Sequence, residues 1–187
     1  MTTKPKPPVF GRKAQRGITL VLVMIFIVSL SLIAAVAMRN VSTGERVVAN
    51  ERDRALSFQG AESAGREAIS LIQQIKAGTA AIPTTGYYAS ALAQGGNTDF
   101  WRTTSTLPVD TTVCASTDTT KRFNWSGCSA TTTGAYGNST TPRYVIERLP
   151  DVVKSATVTE LWYRITARAT GGSNEADVIL QILYTPP

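Results

Sequence analysis

The sequence contains no histidine. A Cys/His zinc site is therefore excluded, and any general acid–base chemistry would fall to thirteen carboxylates, most of them interspersed with arginine. No nucleophile-plus-base pair and no phosphate-binding loop accompanies them, so catalysis, a cofactor and a resident metal are not expected. Cysteine is nearly absent too: Cys114 and Cys128 are the only two. Proline is missing from Ile18 to Ile82, which leaves nothing to break a helix there. Acidic residues are missing from the first 44 positions, where Lys4, Lys6, Arg12, Lys13 and Arg16 stand without a counter-charge.

That asymmetry decides how the net charge of +6 is read. Removing residues 1–17 takes the balance from 19 bases and 13 acids to 14 and 13, so the body is nearly neutral. Nucleic-acid binding over the whole surface is not expected. One local candidate is Lys121-Arg122-Phe123-Asn124-Trp125, which interleaves cations with aromatics as a single-stranded nucleic-acid or glycan site would. The blander reading of Lys121, Arg122, Phe123 and Trp125 is buried rings with solvated charges beside them.

Ile18 to Met38 is an uncharged run of 21 residues broken only by Thr19, Ser29 and Ser31. At ~1.5 Å per residue a helix of that length spans about 30 Å, the hydrocarbon thickness of a bilayer. Five cations before the run and Arg39, Arg46, Arg52 and Arg54 after it give only a small orientation bias. Beyond Met38 the composition turns to Ala, Glu, Arg and Gln, all good helix formers. One helix is predicted over residues 18–76, ending at Lys76-Ala77-Gly78. Phe58, Ala61, Ala64, Ala68, Ile72 and Ile75 form an apolar stripe on it, with Glu62 and Arg66 paired on another face. Gly44, Gly60 and Gly65 read as local weak points.

Residues 77–142 are rich in Thr, Ser, Gly and Asn, and short strands with a cysteine-closed excursion are expected there. Two cysteines in an exported chain are most simply one disulfide, closing a loop of about 15 residues for roughly 3 kcal/mol in a chain-entropy treatment. The alternatives are two free thiols or half of a metal site. Strands are predicted at 143–149, 161–170 and 175–184, with Gly171-Gly172-Ser173-Asn174 as the last hairpin. In the middle strand Leu161, Tyr163, Ile165 and Ala167 share a face that is expected to cover the helix. Trp162, Arg164, Thr166 and Arg168 share the other, expected to meet solvent or a neighbouring subunit. The fold class is α+β: a long helix against an antiparallel sheet.

The most informative junction is Arg16-Gly17-Ile18-Thr19-Leu20-Val21, where a small residue stands before the apolar run. A secretory signal has its small residues after it. This junction resembles a type III (prepilin-type) leader. Three segments extend the resemblance to the PilX-like group of type IV minor pilins: QRGITLVLVMIFIVSLSLIAAVAMRNVSTGERV, NERDRALSFQGAESAGREA (Asn50 to Ala68) and YRITARATGG (Tyr163 to Gly172). The resemblance implies a pilin-like fold, cut by a prepilin peptidase between Gly17 and Ile18, with Ile18 as a methylated mature N-terminus. The parts are then a leader (1–17), a membrane and assembly helix (18–38), an amphipathic half (39–76) and an extracytoplasmic head (77–187).

The implied protein is a non-enzymatic subunit that helps initiate a type IV pilus or its tip and priming complex. Its implied setting is the bacterial inner membrane with a periplasmic head, then the extracellular pilus tip, of a filament that serves adhesion, twitching motility or DNA uptake. Its implied partners are other minor pilins and the major pilin, met through the helix, and a large adhesin at the tip. Most pilins carry glutamate at the fifth mature residue, and the corresponding residue here is Leu22, which marks a tip position. Competing readings are a monomeric single-span envelope protein and a tip-displayed adhesion or DNA-binding module. Ala35-Val36-Ala37 also imitates a signal-peptidase site. The mature N-terminus separates retention of Met1, a start at Ile18 and release at Met38.

Overall fold

The computed structural model describes residues 17–92, 96–111, 114–115, 118, 120–134, 137–155 and 158–187. The leader proper, residues 1–16, lies outside them. The chain divides into two compact units, one ending at Val47 and one beginning at Val48.

A single helix, α1, runs Ile18–Lys76, as the lack of proline and the run of good helix formers predict. In the first unit its apolar side chains stand open from Ile18 to Met38. The hydroxyls there are satisfied within the helix: Ser29 Oγ donates to the Ile25 carbonyl at 2.8 Å and Ser31 Oγ to that of Ile27 at 2.7 Å. Hence neither serine presents an unpaired donor. The helix stops where Lys76-Ala77-Gly78 predicts. Gly78 takes φ +71°, its N–H donates to the Ile75 carbonyl, and Thr79 N–H reaches back to that of Gln74 at 2.9 Å. This is a Schellman ending, and it needs a residue without Cβ at the left-handed position.

In the second unit α1 lies on a mixed, mostly antiparallel sheet. Its strands are β1 (Tyr87–Tyr88), β2 (Ala130–Thr131), β3 (Arg143–Arg148), β6 (Tyr163–Thr170) and β7 (Asp177–Tyr184). The order is β1-β3-β6-β7, with β2 paired to β3 and β1 running parallel to β3. β4 (Val152–Ser155) and β5 (Val158–Glu160) form a separate hairpin that the sequence patterns did not reveal. The three strands predicted near the C-terminus are present, shortened to the bounds of β3, β6 and β7.

The predicted helix stripe is buried at Ala61, Ala64, Ala68 and Ile72, and the last three pack on Tyr144, Ile146, Tyr163, Ile165 and Ala167. Phe58 departs from it, being 50% exposed, and the buried Ser57 takes that place. Gly60 and Gly65 are likewise contact points rather than weak points. A Cβ on Gly60 would stand 2.9 Å from Ala169 Cβ, and one on Gly65 would stand 2.7 Å from Ile182 Cδ1. Small residues let the helix axis come close to the strands, and bulk at Phe58 is turned outward to allow it.

The second face of β6 corrects the expectation that it meets solvent. It is roofed by a second core of Leu92, Phe100, Trp101, Phe123, Trp125, Cys128 and Val145, carried largely by the Thr-rich segment. Two short helices, α2 (Thr98–Trp101) and α3 (Trp125–Cys128), supply most of its rings. Asn97 and Asn124 cap them, their side chains accepting the N–H of Asp99 and Gly127.

Candidate functional site

The first candidate is the exposed apolar surface of α1 before Val48. Among the described residues it is the one helix long and apolar enough to cross a membrane. Its large side chains from Ile18 to Met38 are 51–77% exposed. Twenty-one residues of uncharged helix surface are strongly unfavourable in water, so this segment needs lipid or other apolar helices around it. Leu22 is part of that surface, 52% exposed, and adds no charge to it. Gly17 precedes the helix at φ +142°, a conformation that favours glycine, and a Cβ there would meet nothing within 4 Å. The bond between Gly17 and Ile18 is thus flanked by exposed residues on both sides.

Within the second unit the quoted segments Asn50 to Ala68 and Tyr163 to Gly172 meet, and they meet as a clasp. Asp53 accepts from Ser173 N–H at 2.9 Å, from Ser173 Oγ at 2.7 Å and from Ala176 N–H at 3.3 Å. Gly171 passes so near the carboxylate that a Cβ would stand 2.3 Å from its carbon. The Ser173 hydroxyl and then its N–H hold the Asp53 carboxyl below the usual aspartate value. One turn on, Ser57 Oγ donates to the Ala176 carbonyl at 3.2 Å. Asn138 Nδ2 bridges the Leu56 carbonyl at 3.1 Å and that of Thr170 at 2.5 Å. The β6–β7 hairpin is thereby tied to the middle of the helix. Sequence reasoning gave neither Asp53 nor Asn138 a role in packing, because neither pairing is local in sequence.

The second face of the sheet carries its own charges, and Arg164 and Arg168 are each matched by an acid. Arg164 donates from Nε to Glu147 Oε2 at 2.8 Å and from Nη2 to Oε1 at 2.7 Å. Glu147 is fully buried and also accepts Leu92 N–H at 2.8 Å. Hydrogen bonding to Glu147 raises the Arg164 guanidinium above its ordinary value against the pull of burial. Arg168 donates to Asp177 at 2.9 Å and lies 5.7 Å over the Trp125 ring. Asp177 also accepts the Thr103 hydroxyl. Arg143 donates to the Trp125 carbonyl at 2.8 Å, and burial, followed by the nearby Arg168 charge, lowers its pKa. Tyr88, desolvated and close to Glu147, is pushed up to about 12, and its hydroxyl donates to the Cys128 carbonyl at 2.7 Å.

Cys114 and Cys128 are joined as a disulfide. The loop it closes contains the predicted Lys121, Arg122, Phe123 and Trp125 patch. Phe123 and Trp125 are 3% and 5% exposed and stack on Trp101 at 4.8 and 5.6 Å. Trp125 Nε1 is bound to the Trp101 carbonyl, Arg122 donates to the Thr103 carbonyl at 2.7 Å, and Lys121 lies 3.6 Å from Asp118. The blander reading of this run describes it: the rings are core, and no ligand can stack on them as they stand. Among the described residues no group of three or more His, Cys, Asp or Glu side chains is placed to hold a metal ion.

Two family models match the chain. One, described as PilX N-terminal, covers residues 16–65. The other, described as Type IV pilus assembly protein PilX C-term, covers residues 76–186. No curated protein and no solved structure matches.

Proposed function

Matched by one model at its helix and by another over more than half its length, the chain belongs to the PilX family of type IV pilus assembly proteins, and on that premise we propose that it is a minor pilin acting in initiation and in the tip or priming complex. Membership makes it a pilus component that works with other pilus components. The finer role rests on one observation, the open, uncharged surface of Ile18–Met38 with Leu22 in its first turns. The leader ending at Gly17 is cut by a prepilin peptidase on the cytoplasmic side. The helix stays as an inner-membrane anchor and later packs among the apolar helices of neighbouring subunits.

Leu22 supports placement at the end of the filament. A carboxylate among apolar helices is costly unless a cation meets it, and in a repeating shaft that cation is the N-terminal amine of an adjacent subunit. A subunit with no such amine to meet is better served by leucine. In this reading the head, with its disulfide, is extracytoplasmic, and a large tip adhesin is its outermost partner.

Two experiments test the proposal. N-terminal sequencing of protein from the native host is expected to begin at Ile18. A start at Met1 would favour a plain single-span envelope protein, and a start at Met38 a released one. Leu22→Glu is expected to impair initiation, and a Leu22→Glu protein that enters the shaft in many copies with normal piliation would rule out the tip placement.

A further inference from the structure

β7 is the outer strand of the five-stranded sheet. β6 pairs with it over eight residues, from Thr170↔Asp177 to Tyr163↔Tyr184, without a register shift. Among the described residues no strand pairs with its other side. Natural proteins blunt such edges with proline, lysine, a bulge or a short strand. Asp177–Tyr184 (DVILQILY) is long and regular, has none of these, and carries its only charge at the first residue. Every second residue therefore turns a backbone N–H and C=O outward along an apolar strand.

A groove of about 630 Å³ runs beside this edge. It is lined by Asp177, Ile179 and Gln181, alternate residues of β7, by Glu175 just before the strand, and by Trp101 and Arg102. The three strand positions, Asp177 to Gln181, cover about 13 Å of extended chain, within the reach of a bound peptide strand. The groove is unevenly charged. Asp177 is held by Arg168, whereas Glu175 is exposed and makes no ion pair among the described residues. Open backbone on a largely apolar strand and an unmatched acid just before it thus lie side by side.

We propose that the β7 edge is a strand-addition site for an extended segment of another pilus component. That segment is uncharged and largely apolar along the strand, with a lysine or arginine at the end that lies against Glu175. Backbone hydrogen bonds supply affinity, while the groove and Glu175 select the side chains. The proposal rests on family membership alone and not on placement at the tip.

The test uses the full chain in detergent, alone and co-purified with pilus components from its native host. Hydrogen exchange of β7 is expected to slow at least tenfold at every second amide in the complex, a pattern that only strand pairing produces. Leu183→Lys changes a side chain 63% exposed on this strand and is expected to reduce co-purification at least tenfold with an unchanged thermal midpoint. Glu175→Lys is expected to do the same. Val153→Lys, on the separate hairpin and 69% exposed, serves as the control and is expected to change nothing. Equal β7 exchange in the free and bound protein would overturn the edge proposal while leaving pilus membership intact. Protection that grows with the concentration of the isolated chain would overturn it in favour of a second copy. Absence of every pilus component from the wild-type preparation would overturn both.

Discussion

Glu147 offers the sharpest test of how the head is held together, because its carboxylate is fully buried and its partners are few. Glu147→Ala removes both bonds to Arg164, which is 18% exposed, and the acceptor of Leu92 N–H. Breaking a buried pair by removing one member costs about 3–5 kcal/mol, since the remaining charge keeps its desolvation penalty without compensation. For a unit running from Val48 to Pro187, each kcal/mol lowers the thermal midpoint by about 3–4 °C. A fall of about 9–20 °C is therefore expected for the full chain in detergent, followed by circular dichroism. Glu147→Gln keeps an acceptor for Leu92 but cannot hold the guanidinium as an ion, so it should fall between wild type and alanine. Replacing both partners, Glu147→Leu with Arg164→Met, should recover most of the loss and leave only the Leu92 donor unmatched, about 1–3 kcal/mol. An alanine variant within about 3 °C of wild type would refute the reasoning, because water would then be solvating Arg164 at little cost.

The other predictions concern the clasp, the helix packing and the disulfide. Asp53 has a lowered carboxyl pKa in the fold, so its contribution is complete above the ordinary value of 3.8 and is lost as pH falls through the lower folded value. Amide exchange at Ser173 and Ala176 should therefore rise, relative to β7, only below about pH 4, and Asp53→Asn should remove that dependence. Gly60→Ala drives a Cβ to 2.9 Å from Ala169 Cβ and should destabilise the head by about 1–2 kcal/mol, overpacking outweighing the helix-propensity gain. Gly44→Ala, where a Cβ meets nothing within 4 Å, should not, and equal midpoints for the two would refute the close approach of helix and sheet. Cys114→Ser with Cys128→Ser should lower stability in urea by roughly 3 kcal/mol and raise protease sensitivity around residues 103–128, with β3, β6 and β7 still paired.

Much of the architecture was legible in the sequence because it rests on local, periodic signals. The proline-free stretch and its Lys76-Ala77-Gly78 end locate α1, and β-branched alternation locates β3, β6 and β7. The Thr-rich segment was opaque for a related reason. Its strands are two residues long and its helices four, too short to show a period. Periodicity also admitted Phe58 to the stripe, since it fits the three- and four-residue spacing. Only the close approach of Ala169 and Ile182 shows that this side of α1 must be glycine, alanine and serine.

What the sequence by itself determined is the division of labour: an uncharged, membrane-length helix after Gly17, a nearly neutral head, and one pair of cysteines near enough to join. These follow from composition and order, and no fold can undo them. What only the tertiary structure decided is which residues are available to the outside. Phe123 and Trp125 look like a binding patch in sequence but are core, because α2 and α3 fold over the second face of the sheet. Arg164 and Arg168 look solvent-facing but are matched by Glu147 and by Asp177 on adjacent strands. β7 reads as an ordinary strand, yet the strand order leaves it at the edge with half its backbone groups open. The physical reason is the same in each case: burial, ion pairing and strand edges are properties of residues far apart in the chain, and sequence spacing carries no distance between them.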